Sequence, residues 1–135
     1  MEQSFSESQQ IAYDMYLKGE NVFITGPGGT GKSYFIKQVY ENAKSRGVKV
    51  SVTAMTGCAS LLLDCNAKTI HSWGSIGLGT DPVDTIIKRI VKYRKRDAWL
   101  NTELLIIDEV SMLSANLFEL LNSIAKHFRR STKPF

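Results

Sequence analysis

One stretch constrains this chain more than any other: Gly26-Pro27-Gly28-Gly29-Thr30-Gly31-Lys32-Ser33. It follows a short β-type run, Asn21-Val22-Phe23-Ile24-Thr25, and precedes a segment with Phe35, Ile36, Val39, Tyr40 and Ala43 on one helical face. Strand, glycine-rich turn and helix in that order is the Walker A arrangement. Glycines at these positions let backbone N–H groups turn inward around β- and γ-phosphates without side-chain obstruction. The helix that follows aims the positive end of its dipole at the same anion. Lys32 adds a point charge to the β/γ-oxygens, and the Ser33 hydroxyl is placed to ligate Mg²⁺. Residues 26–33 therefore predict a P-loop site for ATP and Mg²⁺, in a fold that must carry a parallel sheet.

Leu104-Leu105-Ile106-Ile107 supplies the other half of such a site. The run has no polar alternation, so it predicts a strand buried on both faces, as in a parallel sheet covered by helices. It ends on Asp108 and Glu109, and the carboxyl ends of strands are where open α/β sheets bind ligands. Asp108 is suited to hold the Mg²⁺ water shell and Glu109 to act as general base on the attacking water. With Lys32 they form the expected catalytic set.

The remaining elements follow an α/β order. Ile11, Ala12, Met15 and Tyr16 predict a helix within Phe5–Lys18, closed by Gly19. Val48, Val50 and Val52 alternate with Lys49 and Ser51 as in a strand. Residues 54–63 read as a loop passing into a short helix, and Thr69 to Thr80, with Gly74, Gly77 and Gly79, as a loop. Asp81-Pro82 predicts a helix start, cap then first-turn proline. Leu117, Leu120, Leu121, Ile124, Ala125 and Phe128 form the stripe of a last helix. The expected layout is one domain: an opening helix over 1–20, the Walker A unit over 21–47, a loop-rich segment over 48–80, a basic helix over 81–100 and the Walker B unit over 104–135.

Composition narrows the class only slightly. A net charge of +4 is unremarkable, but Lys88, Arg89, Lys92, Arg94, Lys95 and Arg96 crowd together, and Arg129, Arg130 and Lys133 form a second cluster. The first run is either a solvated helix face or a surface for nucleic acid. Two cysteines, Cys58 and Cys65, are too few for a disulfide scaffold and read as reduced thiols. No apolar run approaches the roughly 18 residues of a membrane span, and the opening residues lack the order of a signal peptide. A soluble intracellular protein with no membrane partner is expected.

Further motifs carry a family resemblance. Thr53-Ala54-Met55-Thr56-Gly57-Cys58-Ala59-Ser60, Thr69-Ile70-His71-Ser72-Trp73 and Gly77-Leu78-Gly79 resemble motif Ia and its extension in the Pif-one/RecD-like superfamily-one DNA helicases. Leu105 to Leu113, with Asp108-Glu109-Val110-Ser111-Met112, resembles their motif II, and Phe5-Ser6-Glu7-Ser8-Gln9 resembles the element before motif I. Together these cover nearly the whole chain. The resemblance implies a RecA-like motor domain hydrolysing ATP while stepping 5′-to-3′ along single-stranded DNA. It implies that Gln9, or its neighbour Gln10, reads the adenine edge. It also places Thr56, Gly57, His71 and Ser72 near the DNA path. Trp73 either stacks on a base or anchors its loop in the core, and His71 is either a phosphate contact or a hydrogen-bonded loop residue.

In the family the motor has two RecA-like domains, with an arginine supplied by the second. The chain ends at Phe135 without the sensor strand or the later motifs. The expectation is an incomplete sheet, the N-terminal part of a longer helicase, whose partners are the rest of the motor and single-stranded DNA. Alone it is expected to bind nucleotide but not to unwind. A stand-alone P-loop ATPase and a non-hydrolysing nucleotide- or DNA-binding regulator are the rival readings. The first leaves Thr69-Ile70-His71-Ser72 and Ser111-Met112 without a role.

Overall fold

The computed structural model describes residues 5–24, 31–57, 60 and 65–130. The chain divides into two compact units, 1–47 and 48–135.

In the first unit α1 spans Glu7–Leu17 and α2 spans Lys32–Ser45. A capping box starts α1: Ser6 Oγ accepts from the Gln9 N–H at 3.3 Å, and Gln9 Oε1 accepts from the Ser6 N–H at 2.9 Å. Phe35, Ile36, Val39 and Ala43 are the buried face of α2, the stripe expected from sequence. Phe5, Tyr13, Tyr34 and Phe35 stack into an aromatic cluster with centroids 5.1–6.4 Å apart. The Tyr16 hydroxyl donates to Asn42 Oδ1 at 2.8 Å, tying the two helices. Residues 21–24 form no strand, and Phe23 is 71% exposed. A strand gains stability only from a ladder partner, and among the described residues no strand pairs with 22–24; Thr25 lies outside the described residues.

In the second unit three parallel strands, β1 (Val50–Ala54), β2 (Lys68–Thr69) and β3 (Leu104–Asp108), lie in the order β2-β1-β3. The register sets Val50 beside Leu104 and Ala54 beside Asp108. The Thr53 hydroxyl, fully buried, donates to the Ile106 carbonyl at 2.8 Å. Contrary to the double-sided burial expected for it, β3 is only half-buried along its length. Among the described residues it is an edge strand, covered from one side of the ladder only.

Helices α3 (Ile70–Gly74), α4 (Val83–Lys92), α5 (Asp97–Asn101) and α6 (Ala115–Arg129) complete the unit. Their core is Ile70, Trp73, Ile76, Ile86, Ile90, Trp99, Leu121 and Ile124, with Leu105 and Ile107 of β3 packed against it. The segment read as a loop over 69–80 thus opens with the end of β2 and with α3. Thr69 caps that helix, its Oγ1 accepting from the Ser72 N–H at 3.1 Å, and Ile70 and Trp73 bury one turn apart. The basic helix expected over 81–100 is two helices, broken at Arg94 with a φ of 57°. Asp81 does not cap α4, since Pro82 takes that position; its carboxylate pairs instead with Arg89.

Trp99 holds the helices together. It is 2% exposed, its ring lies 4.7 Å from that of Trp73, and its indole N–H donates to the Gly74 carbonyl at 3.1 Å. A Cβ on Gly74 would stand 2.9 Å from the Trp99 ring, so only glycine lets the two segments close this far. Arg129 Nη1 donates to the carbonyls of Trp99 at 3.1 Å and Thr102 at 2.9 Å. One member of the second basic cluster is therefore a clamp on the backbone.

Candidate nucleotide and nucleic-acid site

Candidate residues lie in both units. In the first, Gly31 is the N-cap of α2 with a φ of 106°, and Lys32 and Ser33 are the first two helical residues. They stand in the first turn of a helix, the end that its dipole makes suited to anions. Gly26, Pro27, Gly28, Gly29 and Thr30 lie outside the described residues. The Gly31 carbonyl accepts from the Phe35 N–H at 2.9 Å and from Gln9 Nε2 at 3.1 Å. A Cβ at position 31 would stand 2.6 Å from that Gln9 nitrogen, so the turn and the glutamine fit only with glycine there.

Both ends of the Gln9 amide are thus engaged, its oxygen with the start of α1 and its nitrogen with the start of α2. Gln9, which the resemblance offers as the adenine reader, ties the start of α1 to Gly31 at the start of α2. The Gln10 amide donates to Asp14 Oδ1 at 3.0 Å.

In the second unit the adjacent parallel strands β1 and β3 deliver their following residues side by side at the carboxyl edge of the sheet. Thr56 Oγ1 donates to Glu109 Oε1 at 3.1 Å. A residue expected near DNA therefore holds the residue expected to activate water. Glu109 has φ 60° and ψ 39°, a left-handed backbone rare outside glycine. This kink ends the strand and starts the single 3-10 turn Val110–Met112, whose Met112 N–H donates to the Glu109 carbonyl at 2.9 Å. Asp108 is the last residue of β3, in register with Ala54. Gly57 is exposed, and Ser60 is buried with its hydroxyl donating to the Gly57 carbonyl at 2.7 Å.

The serine hydroxyl of Ser33 and the carboxylate of Asp108 are hard oxygen donors. Each, in its own unit, is of the oxygen-donor type that Mg²⁺ takes beside phosphate oxygens and water. The residues present fit that ion.

His71 and Ser72 lie on α3 and border a cavity of about 540 Å³ with Ser75, Arg89, Tyr93 and Lys95. Trp73 is not part of it. At 9% exposure, packed on Trp99, it is a core residue and presents no face to a ligand. Arg89, Tyr93 and Lys95 are the residues that sequence reading left unassigned. Only their membership of a basic run hinted at them, because α4 meets α3 through packing rather than through sequence proximity. The run itself divides: Lys88 and Lys92 border a second cavity with Asp84 and His127.

Comparisons with known proteins agree with one another. The family model for PIF1-like helicase matches residues 3–135. The chain is 41% identical to an ATP-dependent DNA helicase PIF1 of Emericella nidulans over 138 residues, covering 97% of this chain and 18% of that protein. A crystal structure of Pif1 helicase from Candida albicans superposes with a TM-score of 0.89 at 35% identity, over 98% of this chain and 30% of that one. Bacteroides sp Pif1 in complex with ADP-AlF4 gives a TM-score of 0.76 at 29% identity, over 99% of this chain and 30% of that one. The chain spans about a fifth of the length of the curated relatives it matches.

Proposed function

Given that the chain belongs to the PIF1-like helicase family, we propose that it is the nucleotide-binding part of an ATP-dependent DNA helicase motor, moving 5′-to-3′ on single-stranded DNA. The observation that carries this reading is the contact between Thr56 and Glu109. It joins the segment expected at DNA to the carboxylate expected at the hydrolytic centre, which a simple phosphate-binding protein has no use for. A stand-alone ATPase gives that contact no role.

The assigned work of each residue follows from its chemistry. Gly26, Gly28, Gly29, Thr30 and Gly31 would give backbone N–H groups to the phosphates, which Pro27 cannot, and Lys32 neutralises β/γ charge. Ser33 and Asp108 would hold Mg²⁺, which supplies Lewis-acid screening of the phosphate oxygens when bound. Glu109 takes the proton of the attacking water. Gln9 keeps the turn at Gly31 in shape, and a second domain of the motor would supply the remaining positive charge, a component worth about 10³–10⁵ in rate where it operates.

Lys32→Ala should weaken binding of ATP strongly and leave the helical content of the chain unchanged, as read by fluorescent-nucleotide titration and circular dichroism. Nucleotide affinity unaltered by this change would remove the phosphate role. Phosphate release measured with and without single-stranded DNA separates the readings: stimulation by DNA belongs to a motor, DNA-independent turnover to a simple ATPase, and binding without turnover to a regulator.

A further inference from the structure

The cavity beside α3 has a composition that the nucleotide site does not use. Two cations, Arg89 and Lys95, face two serine hydroxyls, Ser72 and Ser75, and one imidazole, His71. At its rim Tyr93 is 63% exposed, with the Lys92 ammonium 5.6 Å from its ring centroid. We propose that this groove seats one backbone phosphate and one stacked base of single-stranded DNA, with Tyr93 as the stacking platform and Arg89 and Lys95 as the phosphate contacts. The proposal rests on the reading of the chain as part of a DNA motor and names residues that reading leaves unassigned.

Three features favour this occupant over a small anion or an acidic peptide. A large aromatic held in water beside cations offers a π-face for stacking, and every base has one. Trp73, the other aromatic of the motif, is removed from contention by burial. The polar groups are hydroxyls, an imidazole and cations, which grip phosphate without reading base edges, as a stepping motor requires. Arg89 is already paired with Asp81, but a guanidinium carries five donors in a fork and serves two anions. Asp81 then fixes the guanidinium in place rather than silencing it. The turn that carries Tyr93 to Lys95 is itself fixed, since the Lys95 N–H donates to the Ile90 carbonyl at 2.9 Å and closes the end of α4.

Fluorescence anisotropy of a labelled oligothymidine against the chain, over a series of salt concentrations, tests the assignment. Tyr93→Ala should weaken binding about 5- to 100-fold, the worth of one stacked base, and Tyr93→Phe should recover most of that loss. Lys95→Ala should lower the slope of log affinity against log salt by about one, the signature of one lost phosphate contact. Lys88→Ala removes the same charge from the other cavity of α4 and should change affinity less than twofold. Tyr93 and Lys95 are exposed, so their loss leaves the fold intact. Binding by the unaltered chain with Tyr93→Ala no weaker than Lys88→Ala would overturn the groove assignment alone. Sensitivity to Lys95 without sensitivity to Tyr93 would also overturn it, in favour of a site for acidic peptides or free anions. No binding of the oligonucleotide by the unaltered chain would count against the motor reading itself, and the groove would fall with it.

Discussion

Glu109→Gln is expected to slow ATP hydrolysis by about 10²–10⁴-fold, the usual worth of a positioned general base, while leaving nucleotide affinity within about twofold. The substitution is close to isosteric. Its amide oxygen still accepts from the Thr56 hydroxyl, which lies 3.1 Å from the carboxylate in the parent, so the end of β3 keeps its shape. Only the capacity to take a proton is lost. Phosphate release and nucleotide titration on the same preparation read the two effects separately. A loss of affinity equal to the loss of rate would move Glu109 from the chemistry into ground-state binding.

The largest effect on stability is expected from Trp99→Ala. The indole is 2% exposed, leans on Trp73 and donates to the Gly74 carbonyl. Removing it leaves a cavity among α3, α5 and α6, at a typical cost of about 3–5 kcal/mol, and leaves a buried carbonyl without its donor. For a domain whose whole stability is about 5–15 kcal/mol, that brings the second unit close to unfolding. Trp99→Phe keeps most of the packing and loses mainly the hydrogen bond, about 0.5–1.5 kcal/mol. Denaturant titrations followed by far-ultraviolet circular dichroism should rank the two in that order. Equal stabilities for Trp99→Ala and the parent would show that the cluster is not the core of this unit.

Local patterns were legible in the sequence, and partnerships were not. Ser6 and Gln9, read only as part of a family element, form a capping box whose residues are three apart. The face of α2 and the stripe of α6 repeat often enough to be read. The apolar run before the acidic pair gives its strand, which ends at Asp108, whereas the glycine turn over 26–30 lies outside the described residues. A strand, by contrast, is a property of two segments: residues 21–24 have the composition of one and form none, while Lys68–Thr69 has too little composition to be noticed and pairs with β1. Five-residue helices such as α3 and α5 are too short to show a period. The meeting of Trp73 with Trp99, of Thr56 with Glu109 and of His71 with Lys95 each spans more than twenty positions and follows from the sheet order. For the same reason the charges of 88–96 could not be apportioned between two surfaces before the helix carrying them was placed.

The left-handed turn at residue 109 sets two demands against each other at a single codon. Backbone geometry favours glycine there, since a side chain in that conformation costs about 1–2 kcal/mol, whereas proton transfer demands a carboxylate. Under the role proposed for Glu109, glycine at this position would relax the backbone and abolish hydrolysis in one step.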